Sequence, residues 1–188
     1  AAHFWRHFAH QLSLLHHYTQ PLFGLDHPNF IASLPQNNTL LENWNAFFIL
    51  QRIEPQLKKA VDDKKLPKEI PALFEKLFGK LHNFFPVEKP ALLHGDLWSG
   101  NFLTNSDGTV RLIDPAVYYG HREMDLSMTK LFGGFDRSFY SCYADYFPLE
   151  NDYQQRVAVQ QLYPLLVHVN LFGGHYAAEV SAIVKRFS

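Results

Sequence analysis

The chain has 188 residues, of which 47% are apolar, 15% aromatic and 19% charged. This composition is that of a folded globular domain and favours a well-packed interior over disorder. The formal net charge of −1 offers no excess of basic residues for nucleic acid, and no run of eighteen apolar residues predicts a membrane span. The single cysteine, Cys142, excludes an internal disulfide and fits a reducing, cytoplasmic location.

The first half of the chain is predicted to be mainly helical. Apolar residues at helical spacing predict a helix over 1–18. A second helix over 42–60 is expected to end or kink at Pro55, because proline lacks a backbone N–H. Prolines and a glycine make 19–40 an irregular segment, and an amphipathic pattern predicts a third helix over 70–85.

The centre of the chain carries a predicted hairpin. Apolar runs at 101–104 and 110–113 flank Asn-Ser-Asp-Gly, a turn signal, and therefore predict two antiparallel strands. From Glu123 onward the pattern is helical again, and glycine pairs at 133–134 and 173–174 mark helix ends. The expected fold is one domain that is mainly α with a small β-hairpin.

The segment HGDLWSGN, which begins at His94, places polar residues between apolar runs. Polar loops that buried neighbours hold rigidly often carry chemistry. Asp96 and Asn101 lie five residues apart on this loop, and the predicted hairpin returns Asp114 beside Asn101. Their oxygens predict a partial Mg²⁺ site that phosphate and water would complete. The structural alternatives are that Asp96 caps a turn, Asn101 ends a strand and Asp114 begins one.

The spacing of His94, Asp96, Asn101 and Asp114 resembles the catalytic-loop and metal-binding pattern of protein-kinase-like phosphotransferases. Because glycine separates the histidine from the aspartate, HGDLWSGN looks like the aminoglycoside-phosphotransferase and choline-kinase branch. The longer strings that extend the likeness are LIDPAVYYGHREMDLSMTKLFGGF, NWNAFFILQRIEPQL and QQLYPLLVHVNLFGGHY. They resemble the fructosamine and ketosamine kinase family, and the similarity covers nearly the whole chain.

The resemblance implies transfer of a phosphoryl group from ATP, with Mg²⁺, to the third-carbon hydroxyl of a ketosamine, the adduct of a sugar with an amine. Asp96 would orient the attacking hydroxyl or accept its proton. Asn101 and Asp114 would hold the metal. His94 is expected to support the loop through packing and hydrogen bonds.

Four further residues have open roles. Asp125 is expected to anchor the catalytic loop from a following helix, with substrate contact as the alternative. Trp98 could stack on the sugar ring or pack internally. His121 and Glu123 follow the metal-binding segment, so they could contact the substrate or form solvated surface.

The resemblance also implies which part of a kinase the chain represents. Family members carry a smaller N-terminal lobe with a phosphate-covering loop and a strand-borne lysine, and we find neither feature in this sequence. The chain is therefore expected to be the C-terminal lobe of a protein-kinase-like (α+β) fold, with the N-terminal lobe absent. Its expected parts are a helical substrate-side part (1–90), the catalytic loop with the metal-binding hairpin (91–115) and a helical part (116–188).

Two rival functions stay open at this point. One is an aminoglycoside- or choline-type small-alcohol phosphotransferase, and the other is a non-catalytic kinase-lobe remnant that acts as a binding module. For the preferred function the expected partner is a small-molecule ketosamine or glycated amine, with no nucleic acid and no membrane. The chain alone is expected to be inactive, and its exposed lobe face could self-associate.

Overall fold

The structure, a computed structural model, describes residues 2–105 and 108–188. Its helices are α1 Ala2–His16, α2 Trp44–Phe47, α3 Glu54–Asp62, α4 Ile70–Phe78, α5 Glu123–Leu131, α6 Arg137–Tyr146, α7 Tyr153–Phe172 and α8 His175–Phe187. Its strands are β1 Asn29–Ile31, β2 Leu34–Gln36, β3 Ala91–Leu93, β4 Phe102–Thr104, β5 Val110–Leu112 and β6 Tyr118–Gly120. A π-helical segment, Phe48–Ile53, joins α2 to α3, and a 3-10 turn, Leu81–Asn83, follows α4. Within the described ranges, none of the helices is long and apolar enough to span a membrane.

The predicted hairpin is confirmed. Strands β4 and β5 pair antiparallel, with Phe102 opposite Leu112 and Thr104 opposite Val110. Two residues of the predicted Asn-Ser-Asp-Gly turn, 106 and 107, lie outside the described residues. The hairpin directly follows residues 94–101, the predicted catalytic loop, and therefore fixes the position of the segment after β5.

The sequence did not predict two other strand pairs. Strand β3 pairs with β6, which brings the start of the catalytic loop beside the segment after Asp114. Strands β1 and β2 form a second antiparallel pair inside the segment predicted to be irregular. Strands of three residues are too short for a periodic pattern, which is why neither pair was visible in the sequence.

The helices follow the predictions with two differences. The helix predicted over 70–85 is α4, which ends at Phe78 and is followed by the 3-10 turn. Helix α1 covers most of the predicted range 1–18, and the glycine pairs adopt positive φ at the helix ends, as expected. At the proline where the helix was predicted to end or kink, the chain changes from the π-helical segment to α3 and continues, with Pro55 in the first turn of α3. The change from π to α geometry occurs just before this proline, where the missing N–H is tolerated.

Two hydrophobic clusters hold the centre of the chain in place. The larger one joins α3, α4, α7 and α8 and includes Leu93 and Met124, whereas the smaller one joins α1 and α6 and includes Leu97 and Leu126. Helix α5 therefore contributes side chains to both clusters, and the loop 94–101 follows Leu93 of the larger cluster and contributes Leu97 to the smaller one. Asp125, which lies between Met124 and Leu126 in the sequence, is 1% exposed.

Candidate active site

The catalytic loop, residues 94–101, connects β3 to β4. Asp96 is half-buried, and the side-chain Nδ2 of Asn101 donates to the Asp96 carbonyl at 2.8 Å and to its Oδ2 at 3.0 Å. Gly95 has a φ of +84°, and a Cβ there would lie 2.0 Å from the carbonyl oxygen of Ala116. The loop can therefore close on the segment after β5 only because residue 95 is glycine.

The hairpin brings Asp114 to the end of this loop. The amide of Ile113 donates to the Asn101 carbonyl at 3.0 Å, so the β4–β5 ladder extends by one more pair and Asp114 is the next residue. Asp114 is exposed and has a φ of +49°, in the left-handed region. Strained backbone of this kind is concentrated at functional sites, and Asp is among the non-glycine residues that tolerate it best.

Asp125 supports the backbone of the catalytic loop. Its Oδ2 accepts from the amide of His94 at 2.8 Å, and its Oδ1 accepts from the amide of Gly95 at 2.9 Å. This is the contact expected of a residue that anchors the loop from a following helix. His94 in turn joins the loop to the segment of Asp114, because its Nε2 lies 2.9 Å from the Ile113 carbonyl and its Nδ1 lies 3.3 Å from the Asp96 amide.

Sequence reasoning missed two residues that extend this support, His16 and Tyr143. The Nε2 of His16 lies 3.2 Å from Asp125 Oδ2, and its Nδ1 lies 2.7 Å from the hydroxyl of Tyr143. In the tautomer that donates from Nε2 to the carboxylate, Nδ1 can accept a hydrogen bond from the tyrosine hydroxyl. The available signal was the i, i+4 series Phe8, Leu12 and His16, which puts a histidine on the apolar face of α1.

The two carboxylates of the site have opposite pKa shifts. Burial raises the pKa of Asp96, and the charge of His94 and the hydrogen bond from Asn101 offset this only in part. Burial also acts to raise the pKa of Asp125, but the hydrogen bond and charge of His16, the charge of His94 and the Gly95 amide outweigh it. The pKa of Asp125 is therefore lowered, so it stays a carboxylate, whereas the raised pKa of Asp96 makes it the better proton acceptor.

The structure corrects the interpretation of His121 and Glu123. Both side chains are fully buried, so neither can contact a substrate and neither forms solvated surface. Glu123 accepts from the guanidinium of Arg156 at 2.7 and 2.9 Å and from Nε2 of Gln160 at 2.7 Å. His121 Nε2 lies 3.8 Å from Glu88. A polar run beside a site looks exposed in a sequence, but Glu123 has a buried partner, Arg156, more than thirty residues away.

Trp98 remains accessible next to Asp96. It is 37% exposed, and its indole covers the backbone of Gly100, where a Cβ would lie 2.3 Å from the ring. Its edge contacts Phe132, at a centroid distance of 5.9 Å. Both of the uses predicted for Trp98, contact with a sugar ring and internal packing, are compatible with this position.

The oxygen donors of this site fit a hard divalent cation. Because Asn101 uses Nδ2 to bind Asp96, its Oδ1 is free of that contact and can coordinate a metal together with the exposed carboxylate of Asp114. Within 2–105 and 108–188, no group of three or more His, Cys, Asp or Glu side chains is arranged to hold a metal. A metal here therefore needs further oxygen ligands, such as those of a phosphate.

Comparison with solved structures identifies the class of fold. The chain superposes on a choline kinase from Streptococcus pneumoniae with a TM-score of 0.53, covering 98% of this chain and 63% of that one. The two sequences are only 14% identical, so the likeness concerns the fold alone. The fold is kinase-like.

The family follows from closer matches. Residues 1–188 match the family model described as fructosamine kinase. Probable ketoamine kinases from Enterococcus faecium and Lactiplantibacillus plantarum are 37% and 40% identical over 97% and 92% of this chain. The crystal structure of a candidate fructosamine-3-kinase from Thermobifida fusca is 37% identical and superposes over 98% of the chain with a TM-score of 0.93. The chain belongs to the fructosamine kinase family.

The chain matches only part of each relative. It spans 66% and 62% of the two ketoamine kinases and 65% of the Thermobifida fusca chain. The remaining third of each relative has no counterpart in these 188 residues. The predicted absence of an N-terminal lobe stays a prediction.

Proposed function

We propose that this chain carries the catalytic loop and metal-binding hairpin of an ATP-dependent ketosamine kinase that phosphorylates the third-carbon hydroxyl of a fructosamine-type sugar. Family membership over the whole chain supports the substrate class. The observation that carries the chemistry is the hydrogen bond between Asn101 and half-buried Asp96. Asn101 also accepts a backbone hydrogen bond from Ile113, the residue that precedes Asp114.

Asp96 acts on the acceptor. Its carboxylate accepts a hydrogen bond from the attacking hydroxyl and takes the proton as the oxygen bonds to the γ-phosphorus of ATP, while the bond from that phosphorus to the bridging oxygen of ADP breaks. Asn101 holds the Asp96 carboxylate at 3.0 Å and thereby fixes its orientation. Burial raises the pKa of Asp96, which increases its strength as a base.

Asn101 and Asp114 would hold Mg²⁺, which when bound offsets the charge of the phosphate oxygens. His94 and Asp125 act as positioning residues, because they fix the loop backbone and link it to Ile113, the neighbour of Asp114. Trp98 provides an aromatic surface for the sugar beside Asp96. These residues can act only if ATP and the acceptor hydroxyl are held in a fixed relative position. Most of the rate enhancement in phosphoryl transfer comes from such positioning and from charge stabilisation.

The test uses the full-length protein in which these residues occur. We expect transfer of labelled phosphate from ATP to the fructosamine of a small amine, with no transfer to choline or kanamycin, and NMR should locate the phosphate on the third carbon. Asp96→Asn should lower kcat by at least about 10²-fold and leave the circular dichroism spectrum unchanged. Normal turnover by this variant, or phosphorylation of choline or kanamycin instead, contradicts the proposal.

A separate measurement addresses the 188 residues alone. We propose that they bind Mg·ATP weakly and have negligible turnover, because the relatives they match are half as long again. Titration calorimetry of the isolated chain with Mg·ATP checks this. Micromolar affinity would contradict this expectation, and gel filtration of the same sample reports whether the chain self-associates.

A further inference from the structure

An aromatic strip begins next to the catalytic loop and continues across two helices. Its members are Trp98, Phe132, His168, Phe172 and Tyr176. The ring centroids of Trp98 and Phe132 lie 5.9 Å apart, and those of Phe132 and His168 lie 4.9 Å apart. His168 then contacts Phe172 at 5.6 Å and Tyr176 at 5.0 Å, so the five rings are continuous.

Much of this aromatic strip is accessible. Trp98 and Phe132 are 37% and 38% exposed, and Phe172 is 70% exposed. Isolated exposed apolar side chains are common, but a contiguous row of them marks a binding surface more often than bare surface. The strip also has one polar feature, because His168 uses Nδ1 to contact the Pro164 carbonyl at 2.7 Å. Among the residues that the structure describes, this Nδ1 contact is the hydrogen bond found for His168, and its Nε2 is available to a ligand.

The position of the aromatic strip relates it to the acceptor. Trp98 lies two residues after Asp96 on the same loop. The ring contacts from Trp98 through Phe132 connect His168, in the middle of the strip, to the loop that carries Asp96. A ketosamine whose hydroxyl is at Asp96 has its amine only a few covalent bonds away. The substituent on that amine must therefore extend out of the site along the surface beside the loop.

We infer that the aromatic strip binds the amine-borne group of the acceptor and favours ketosamines whose amine carries an aromatic or apolar substituent. This inference rests on the proposed function and adds a substrate preference to it. A protonated secondary amine is attracted to aromatic faces, and its N–H can donate to the free Nε2 of His168. The substituent then lies against Phe132 and Phe172, so that its own apolar surface and that of the two rings are removed from water.

The experiment compares two fructosamines that differ only in the amine, one made from benzylamine and one from methylamine. For the full-length protein, kcat/KM should be higher for the benzylamine adduct. Phe172→Ala and Phe132→Ala should each reduce this preference roughly three- to tenfold, the size expected of one lost aromatic contact. The change should appear in KM for the benzylamine adduct, whereas KM for the methylamine adduct should not change.

The control is Tyr18→Ala. Tyr18 is 66% exposed, close to the exposure of Phe172, but it follows α1 beside Thr19 and His17. His17 and Thr19 line a cavity together with Arg122, the residue directly before α5. Phe132 is the residue directly after α5. The control therefore removes an exposed aromatic ring at the opposite end of α5, and the preference should not change.

The outcomes separate this inference from the proposed function. If the unmodified protein phosphorylates both adducts equally, or if the Phe172 and Phe132 variants slow both adducts by the same factor, the inference is wrong and the proposed function stands. If the unmodified protein phosphorylates neither adduct, the proposed function fails and the inference fails with it. Phe172→Leu and Phe132→Leu, which keep apolar bulk, provide the same comparison should an alanine variant fold poorly.

Discussion

Replacing His16 by alanine tests whether buried groups outside the catalytic loop set its geometry. His16 is fully buried and lies between the Asp125 carboxylate and the Tyr143 hydroxyl. Asp125 in turn binds the amides of His94 and Gly95. The substitution removes one of three donors to a buried carboxylate and the acceptor of a buried hydroxyl, without touching the loop itself.

The magnitude follows from this loss. Losing a hydrogen bond to a charged group typically costs about 1.5–3 kcal/mol, and leaving the buried hydroxyl of Tyr143 without its partner adds about 1–3 kcal/mol, which together give roughly 3–5 kcal/mol. The free energy of unfolding should fall by about that amount. A displacement of reacting groups by roughly 1 Å can cost on the order of 10²-fold in rate, so kcat should fall by up to about 10²-fold. KM for ATP and for the acceptor should change little, because His16 is buried away from both.

The assay combines urea denaturation with steady-state kinetics of the full-length protein. His16→Gln serves as the conservative variant, because its amide can donate to Asp125 from nearly the position of Nε2, and it should restore most of kcat. Val184→Ala is the matched control, since Val184 is fully buried in α8 within the larger hydrophobic cluster and should lower stability alone. If His16→Ala loses stability but keeps normal kcat, His16 is structural and the positioning argument is refuted.

Three further predictions follow from the same contacts. Asp114→Asn should raise the Mg²⁺ concentration needed for half-maximal rate, measured by magnesium titration, and an unchanged requirement would remove Asp114 from the metal site. Arg156→Met should lower the free energy of unfolding by about 3–5 kcal/mol, because it leaves Glu123 buried without its partner; a loss below about 1 kcal/mol would show that the pair contributes little. Because the folded-state pKa of Asp125 is lowered, its contribution to stability is present above about pH 4 and is lost as the pH falls through the lowered value. Urea denaturation between about pH 7 and about pH 3 should therefore show a weaker acid dependence in Asp125→Asn than in the unmodified protein.

Local signals predicted the hairpin and most helices well. The β4–β5 hairpin has a turn signal and two apolar runs within a dozen residues, and α1 has apolar side chains on one face throughout its length. In both cases the information needed is contained in the segment that folds. The same is true of Asp96 and Asn101, whose contact closes a loop of only a few residues.

Long-range pairing was the part that the sequence did not reveal. Strands β3 and β6 are separated by the whole catalytic loop and hairpin, and each has only three residues. Glu123 looked exposed because nothing near it in sequence identifies Arg156 as its partner. A buried ion pair depends on two distant positions at once, so neither position alone predicts it.

The supporting contacts explain why this loop can be both polar and rigid. His94 reaches the amide of Asp96 with one ring nitrogen and the carbonyl of Ile113 with the other. One imidazole therefore connects the backbone of the proposed base to the residue that precedes Asp114. The position of the base and that of the metal-binding segment are consequently coupled, and helix α5 fixes both through Asp125. The reacting groups thus take their geometry from helices that belong to two separate hydrophobic clusters, which limits how far either group can move independently.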